Sequence, residues 1–223
     1  MNKKILVVAA HSDDEVLGCG GTLAKFAEIG FEISVIFMTD GVGSRLNQNK
    51  STAESRKEHS LLAAKILGVS SITQHSFPDN GLDQLPLLKL VQKIEEKIED
   101  FKPSIVFTHY SNDLNIDHRV VAQATLTATR PLEGTCVKKV VGFEVNSSTE
   151  WAYGSPSFTP NYFVDISSTF ETKLTAMRAY KDELKNVPHP RSIEGISALA
   201  SLRGNAVGVY YAEGFQIYRL VEG

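Results

Sequence analysis

Near the N-terminus, an imidazole and three carboxylates follow directly on an apolar run. His11, Asp13, Asp14 and Glu15 come just after six apolar residues that end at Ala10. Such a run is typical of a buried strand, and open α/β sheets bind ligands at the carboxyl ends of their strands. Imidazole and carboxylate groups are the ligands of hydrolytic zinc sites, and a spare carboxylate can act as a base. The segment therefore predicts a metal-dependent hydrolytic site at a strand end.

A second polar segment follows another apolar strand much later in the chain. It covers residues 109–119 and contains His109, Asn115, Asp117 and His118. Because the ends of parallel strands meet at one edge of a sheet, His118 could converge with the first segment. Two imidazoles and a carboxylate form an open zinc site, which leaves a second carboxylate for proton transfer.

Simpler explanations of both segments stay open at this point. The first segment could be a solvated turn that caps the following helix. Asp117 could likewise cap the helix that begins near His118, and an isolated histidine is more often structural than a ligand. The position of each segment at a strand end favours a shared site over these explanations.

Short apolar strands alternate with longer amphipathic helices over most of the chain. This alternation predicts an α/β fold, a Rossmann-like three-layer αβα sandwich with a mostly parallel sheet and a C-terminal α/β extension. We expect a single domain over residues 1–223, since no linker or internal repeat is recognisable. Strands are predicted at 4–10, 32–38, 72–77, 104–108, 140–145 and 162–166, with one or two within 207–220. Helices are predicted at 22–29, 53–67, 87–101, 118–129, 170–184 and 193–202, and a loop at 42–51.

The composition limits the partners and the compartment. Hydrophobic residues make up 42% and charged residues 22%, an ordinary balance for a globular chain. A net charge of −3 gives no reason to expect nucleic acid or an anionic membrane as partner. No apolar run reaches the roughly 20 residues of a membrane span. The early His11 argues against a signal peptide, and two distant cysteines argue against a disulfide framework. We therefore expect a cytoplasmic protein.

The first segment also resembles the A-H-P-D-D-E signature of the LmbE-like, PIG-L-type zinc-dependent de-N-acetylases. The second segment is similar to the second metal motif of that family, which ends in Asp-His. Weaker similarities extend over most of the chain. The residues that carry the resemblance are Ala10-His11-Ser12-Asp13-Asp14-Glu15, Asp117-His118, Thr39-Asp40-Gly41, Arg56, Pro78-Asp79 and Arg203-Gly204.

The resemblance implies a hydrolase that removes the acetyl group from an N-acetylated amino sugar. The substrate would be an N-acetylglucosamine-type sugar, a glucosaminyl conjugate or a nucleotide sugar. His11, Asp14 and His118 would bind Zn²⁺ or another divalent metal such as Fe²⁺. Asp13 would be the general base that activates a metal-bound water. The resemblance also leaves a homo-oligomer open.

Two positions depart from the family pattern. Ser12 replaces a proline, and Asn115 stands where many members have a histidine that assists the intermediate or the leaving group. An amide can donate a hydrogen bond but cannot transfer a proton at neutral pH. We therefore expect Asn115 to position the intermediate, while Asp13 or His109 returns the proton to the leaving amine.

Three further residues are candidates for binding the substrate. Arg56 resembles the family's substrate-binding arginine, although a solvated position on a helix explains it equally well. Asp79 resembles the family's substrate-facing acid, although turn formation accounts for it too. Asp40 follows the second predicted strand and could line the same cleft.

Other acidic residues are expected to support the site rather than to react. Glu15 is expected to orient the first segment, and Asp117 to orient His118. Glu213, near the C-terminus, could pair with Arg203.

Two rival hypotheses stay open. The metal-dependent hydrolase could cleave another amide or a phosphoester. Alternatively, the chain could be a non-catalytic sugar- or nucleotide-binding module. Gly18, Gly20 and Gly21 follow the acidic segment instead of the strand, so they do not form the glycine-rich turn of dinucleotide-binding proteins. Carboxylates at that turn would also repel a pyrophosphate.

Overall fold

The computed structural model describes residues 2–41 and 51–222. The strands are β1 (Lys4–Ala9), β2 (Glu32–Thr39), β3 (Ser71–Phe77), β4 (Ile105–His109), β5 (Lys139–Phe143), β6 (Tyr162–Asp165) and β7 (Ala212–Leu220). The helices are α1 (Asp14–Glu28), α2 (Ser51–Leu67), α3 (Leu87–Phe101), α4 (Ile116–Ala128), α5 (Phe170–Ala179) and α6 (Ile193–Asn205). Short 3₁₀ turns occur at Leu82–Gln84 and Thr149–Trp151.

All seven strands belong to one sheet, in the order β3-β2-β1-β4-β5-β7-β6. Neighbours among β1 to β5 pair in parallel, whereas β7 pairs antiparallel with β5 and β6. Apolar clusters cover both faces of the sheet, with α1, α2, α5 and α6 on one side and α3 and α4 on the other. The predicted mostly parallel α/β sandwich is therefore confirmed.

Strand β1 lies inside the sheet between β2 and β4, and its residues point alternately to the two faces. Because both faces are covered, the strand is a continuous apolar run and does not alternate with polar residues. The chain extends from β1 through β2 to β3 on one side, and from β4 to β5 on the other. This reversal leaves a crevice at the carboxyl ends of β1 and β4, where both polar segments emerge.

Helix α1 starts earlier than the sequence pattern predicts. The prediction placed a helix at 22–29, whereas α1 begins at Asp14 and its path breaks at Cys19, with φ −146° and ψ 15°. A Cβ at Gly18 would lie 2.3 Å from the ring of Phe143, so close packing against β5 requires glycine there. Gly18, Gly20 and Gly21, which precede the predicted helix at 22–29, thus lie inside α1 around its break.

The break in α1 is stabilised by a buried ion pair from the C-terminal part of the chain. The Glu213 carboxylate accepts hydrogen bonds from the N–H groups of Gly21 at 3.0 Å and Thr22 at 2.7 Å. Lys173 Nζ donates to Glu213 at 2.6 Å and to the carbonyl of Leu17 at 2.8 Å. The pair therefore satisfies backbone groups on both sides of the break.

The suggested pairing of Glu213 with Arg203 is wrong. Arg203 donates from Nε and NH2 to Glu144 at 2.7 and 2.6 Å. Glu213 faces α1 instead, because the open N–H groups at the break need an acceptor.

Other element boundaries also differ from the prediction. Helix α5 ends at Ala179 instead of continuing to residue 184, and β4 includes His109. The C-terminal strand is the single strand β7. Of the loop predicted at 42–51, residues 42–50 lie outside the described residues, and α2 begins at Ser51. Within the described ranges, no helix is both long and apolar enough to cross a membrane.

We expect Glu213→Gln to lower the free energy of unfolding by about 3 kcal/mol, because the buried Lys173 ammonium loses its counter-ion. Urea denaturation followed by circular dichroism measures the change. The matched control is Glu96→Gln, which breaks an exposed pair with Lys93 on α3 and should cost less than about 0.5 kcal/mol. Equally small effects for the two variants would contradict a stabilising role of the buried pair.

Candidate metal and catalytic site

The two polar segments meet at the carboxyl ends of β1 and β4. The side chains of His11, Asp14 and His118 each offer a ligand atom, and these atoms lie within 4.8 Å of one another. His11 Nδ1 is 3.3 Å from Asp14 Oδ2, and His118 Nε2 is 3.4 Å from Asp14 Oδ1. The fold thus brings together the three residues that the sequence singled out as metal ligands.

The Asp14 carboxylate is fully buried at the centre of this group. Its Oδ2 accepts a hydrogen bond from the backbone N–H of His11 at 2.8 Å, whereas its Oδ1 is buried with no hydrogen-bond partner in the described parts of the chain. Burial opposes ionisation, but the charge of His118 holds the pKa of Asp14 well below its usual value. An ionised oxygen with an open coordination position beside two imidazoles suits a divalent cation.

His118 is held in one orientation by a carboxylate that the sequence analysis missed. His118 Nδ1 lies 3.1 Å from Asp113 Oδ1, which leaves Nε2 toward Asp14. Burial works against a charged imidazole, but the adjacent carboxylates of Asp14 and Asp113 raise the pKa of His118 to about 9. Asp113 also accepts hydrogen bonds from Ser148 and Thr149, so a network fixes it in turn.

Asp117 supports His11 and does not orient His118, which corrects the sequence-based expectation. Its Oδ2 lies 3.2 Å from His11 Nε2 and accepts the N–H of Asn80 at 2.7 Å. Its Oδ1 accepts the N–H of Leu82 at 3.1 Å. Asp117 therefore connects the start of α4 to the turn after β3 and to the ring of His11.

A second group of possible ligands shares His11 with the first. Asp79 Oδ1 is 3.2 Å from His11 Nε2, and His11, Asp79 and Asp117 also meet within 4.8 Å. Both oxygens of Asp117 already accept backbone N–H groups. The group that contains Asp14 and two imidazoles is the better metal site, because its carboxylate still has an open oxygen.

Asp13 takes the N-cap position of α1 but does not cap the helix. Its side chain makes no capping hydrogen bond, and its Oδ2 instead accepts from Arg191 NH1 at 2.8 Å. The simple capping explanation of this segment is therefore wrong. Asp13 also has φ 123°, a strained conformation for a residue with a side chain. Burial raises the pKa of Asp13 to about 6, although the charge of Arg191 opposes this shift.

Glu15 holds the main chain beneath Asp13. Its Oε2 accepts the backbone N–H of Asp13 at 3.0 Å, and its Oε1 accepts the hydroxyl of Tyr180 at 2.6 Å. Burial raises the pKa of Glu15 to about 8. Its contacts lie on the backbone side of the motif, so they fit the predicted orienting function of Glu15.

Asn115 is the N-cap of α4 and also lines the cavity beside His11. Its Oδ1 accepts the N–H of Asp117 at 2.8 Å, so Asn115 and not Asp117 caps this helix. With the oxygen used for capping, the amino group is the part of the amide that can donate to a ligand.

His109 lies below the site and does not border the cavity. It is fully buried at the end of β4, its Nε2 accepts the N–H of Ala10 at 2.9 Å, and its ring stacks on His118 with centroids 4.0 Å apart. Burial and the neighbouring His118 lower the pKa of His109. This placement argues against the predicted proton transfer from His109 to a leaving amine, because a ring packed under His118 cannot approach the substrate.

A small open cavity of about 120 Å³ gives access to the site. Arg56 lines it, as the substrate-binding prediction requires, and so does Asp79. Asp40 is half-buried at the end of β2 and is not among the lining residues. A larger groove of about 700 Å³ lies between the C-terminal ends of α3 and α4, away from these side chains. The small cavity at the site is lined by His11, Asp13, Arg56, Asp79, Asn80, Asn115, Glu183 and Arg191.

Arg191 and Glu183 line the cavity although the sequence analysis did not identify them as site residues. Arg191 ends a proline-containing loop, and Glu183 falls in a stretch predicted to be helical. Neither follows a parallel strand, so the rule that located the other residues could not find them.

Known proteins resemble this chain at the level of family, sequence and structure. The PIG-L family, described as GlcNAc-PI de-N-acetylase, matches residues 6–129, which is more than half of the chain. The uncharacterized deacetylase YaiS of Escherichia coli is 32% identical over 185 residues, 80% of this chain and 91% of that protein. The diacetylchitobiose deacetylase of Thermococcus kodakarensis is 28% identical over 96% of this chain and 82% of its own length.

Solved structures share the fold over nearly the whole chain. The N,N'-diacetylchitobiose deacetylase of Pyrococcus horikoshii superimposes with a TM-score of 0.79 at 23% identity, covering 97% of this chain and 84% of that one. The 4-carboxy-2-hydroxymuconate hydratase GalB of Pseudomonas putida has a TM-score of 0.77 at 23% identity, covering 99% of this chain and 98% of that one. The fold alone therefore serves more than one reaction. The family match and the 32% identity to a deacetylase show that this chain belongs to the PIG-L, or LmbE-like, family.

Proposed function

We propose that this protein is a zinc-dependent hydrolase that removes the acetyl group from an N-acetylated amino sugar or its conjugate. The observation that carries the proposal is the convergence of His11, Asp14 and His118 beside a separately held carboxylate, Asp13. The relatives support the substrate class, since one of them is a diacetylchitobiose deacetylase. The cavity is smaller than the ~300 Å³ typical of pockets for whole ligands, so it would hold the acetamido end of the sugar.

The residues of the site fit a zinc ion. Two imidazoles and one carboxylate are a common ligand set of catalytic zinc, and the buried Asp14 Oδ1 has no hydrogen-bond partner among the described residues. A zinc ion bound there would polarise the acetamide carbonyl and lower the pKa of a water toward about 7. Asp113 and Asp117 keep the rings of His118 and His11 oriented for this purpose.

Asp13 is the base of the proposed mechanism. It lines the cavity but contacts Arg191 and not an imidazole, so its carboxylate is available for a proton from the attacking water. The same carboxylic acid then returns the proton to the leaving amine. His109 is excluded from that step by its burial, and an asparagine at position 115 cannot carry a proton. Asn115 and Asn80 remain as donors that would hold the substrate.

We expect the purified protein to contain about one zinc per chain and to release acetate from N-acetylated amino sugars. A panel should include N,N'-diacetylchitobiose, N-acetylglucosamine conjugates and nucleotide sugars, with other acyl amides and phosphoesters as rival substrates. A chelator should abolish acetate release and added zinc should restore it, because the metal activates the nucleophile. Acetate release at the full rate from protein shown to be metal-free would contradict the proposal.

Asp13→Asn should keep zinc but lower kcat by about 10²–10⁴-fold, because the amide cannot accept the proton of the water. Metal analysis and acetate release on the same preparation separate the two effects. Asp182→Asn, on an exposed turn, is the matched control and should keep full activity. Unchanged turnover in Asp13→Asn would remove Asp13 as the base.

Asp113→Asn should weaken zinc binding by about 10–100-fold, because His118 loses the charged acceptor that fixes its ring. Competition with a chromophoric chelator measures the affinity, and thermal unfolding checks that the variant is folded. The exposed Asp83→Asn serves as the control for loss of one negative charge. Equal zinc affinity in the folded Asp113→Asn variant would show that Asp113 does not support the metal site.

A further inference from the structure

We propose that Arg191 is the positioning residue of Asp13 and that Glu183 links it to the substrate side of the cavity. This inference rests on the proposed function, in which Asp13 is the general base. Arg191 lies far from both predicted motifs in sequence, on the loop between α5 and α6. Its guanidinium reaches Asp13 because that loop folds over the carboxyl edge of the sheet.

The guanidinium of Arg191 is fixed from several sides. Its Nε donates to Ser147 Oγ at 2.7 Å and to the carbonyl of Asn146 at 3.3 Å. The backbone N–H of Arg191 donates to His189 Nδ1 at 3.0 Å, which fixes the main chain of the same residue. The side chain is only 18% exposed. A guanidinium held this way presents NH1 to Asp13 in one direction, which a flexible surface arginine does not do.

Arg191 supplies the hydrogen bond that orients the Asp13 side chain. Among the described residues, Asp13 Oδ2 accepts from Arg191 NH1 at 2.8 Å, and Oδ1 accepts from no side chain or backbone group. Glu15 holds the main chain of Asp13 from the opposite side. The strained backbone and the side chain are thus fixed by separate partners, and Oδ1 is the oxygen left to act on water.

Glu183 connects this arrangement to the predicted substrate arginine. One oxygen of the Glu183 carboxylate forms a close ion pair with Arg56 NH2, and the other lies 3.5 Å from Arg191 NH1. All three residues line the cavity. A carboxylate shared by two guanidinium groups fixes the distance between the group that would bind substrate and the group that holds the base.

The kinetic consequences distinguish positioning from substrate binding. If Arg191 positions Asp13, Arg191→Ala should lower kcat by about 10²-fold, since small displacements of a reacting group have effects of this size. KM should change by less than about twofold, because the substrate contacts remain. Arg191→Lys should recover part of kcat, and millimolar guanidinium should partly rescue Arg191→Ala at constant ionic strength. Arg178→Ala, an exposed arginine on α5, is the matched control and should leave kinetics and rescue unaffected.

A double mutant tests whether Arg191 acts through Asp13. Adding Arg191→Ala to Asp13→Asn should lower kcat by less than about twofold, because residues that act as one unit are not additive. A further loss as large as in the wild-type background would overturn the inference. So would a raised KM with unchanged kcat, which would make Arg191 a substrate ligand. Zinc content and the thermal unfolding midpoint, measured on every variant, identify any loss of kcat that comes from the metal or the fold.

The failure of this inference is separable from failure of the proposed function. If the zinc-loaded wild-type protein releases no acetate from the panel, the proposed function itself fails. If the wild type is active and Asp13→Asn is inactive, while Arg191→Ala keeps wild-type kcat, only the positioning inference fails.

Discussion

A single buried carboxylate, that of Asp14, sets the arrangement of the site. Taking an ionised carboxylate out of water is costly unless charges and hydrogen bonds compensate it. Here the compensation comes from the N–H of His11 and from two imidazoles, those of His11 and His118. His11 follows β1, and His118 lies on α4, which follows β4, so the compensation requires the two strands to be neighbours. The same carboxylate keeps one oxygen without a hydrogen bond in the described part of the chain, which leaves an open position that suits a cation.

Adjacent aspartates have opposite properties because their surroundings differ. Asp14 lies among imidazoles that hold its pKa well below the usual range, whereas burial raises the pKa of Asp13 to about 6 despite Arg191. Two carboxyl groups whose pKa values are driven apart by their surroundings are suited to different acid–base roles. Asp13 also differs in its strained backbone, with φ 123°. Glu15 stabilises this conformation, and Tyr180 stabilises Glu15.

The C-terminal part of the chain completes a site whose first residues are N-terminal. Glu213 and Lys173 satisfy the backbone of α1 where it breaks, and Tyr180 fixes the motif at the start of the same helix. Arg191 then reaches Asp13 across the cavity. The N-terminal turn of α1 therefore lies in the site, and the break in α1 contacts Glu213 of β7 and Lys173 of α5.

The sequence by itself determined the parallel α/β architecture and the set of His11, Asp13, Asp14 and His118. Both follow from local signals, because apolar runs mark buried strands and ligands gather where parallel strands end. The tertiary structure decided which hydrogen-bond or ion-pair partner each side chain has. Asp113, and not Asp117, holds His118; Asn115 caps α4; His109 lies under the site; and Glu213 pairs with Lys173. These partners could not be read from the chain, because each depends on which loops fold over the sheet edge. Arg191 and Glu183 are the clearest case, since they reach the cavity from a loop that follows no parallel strand and whose position is set only by long-range packing.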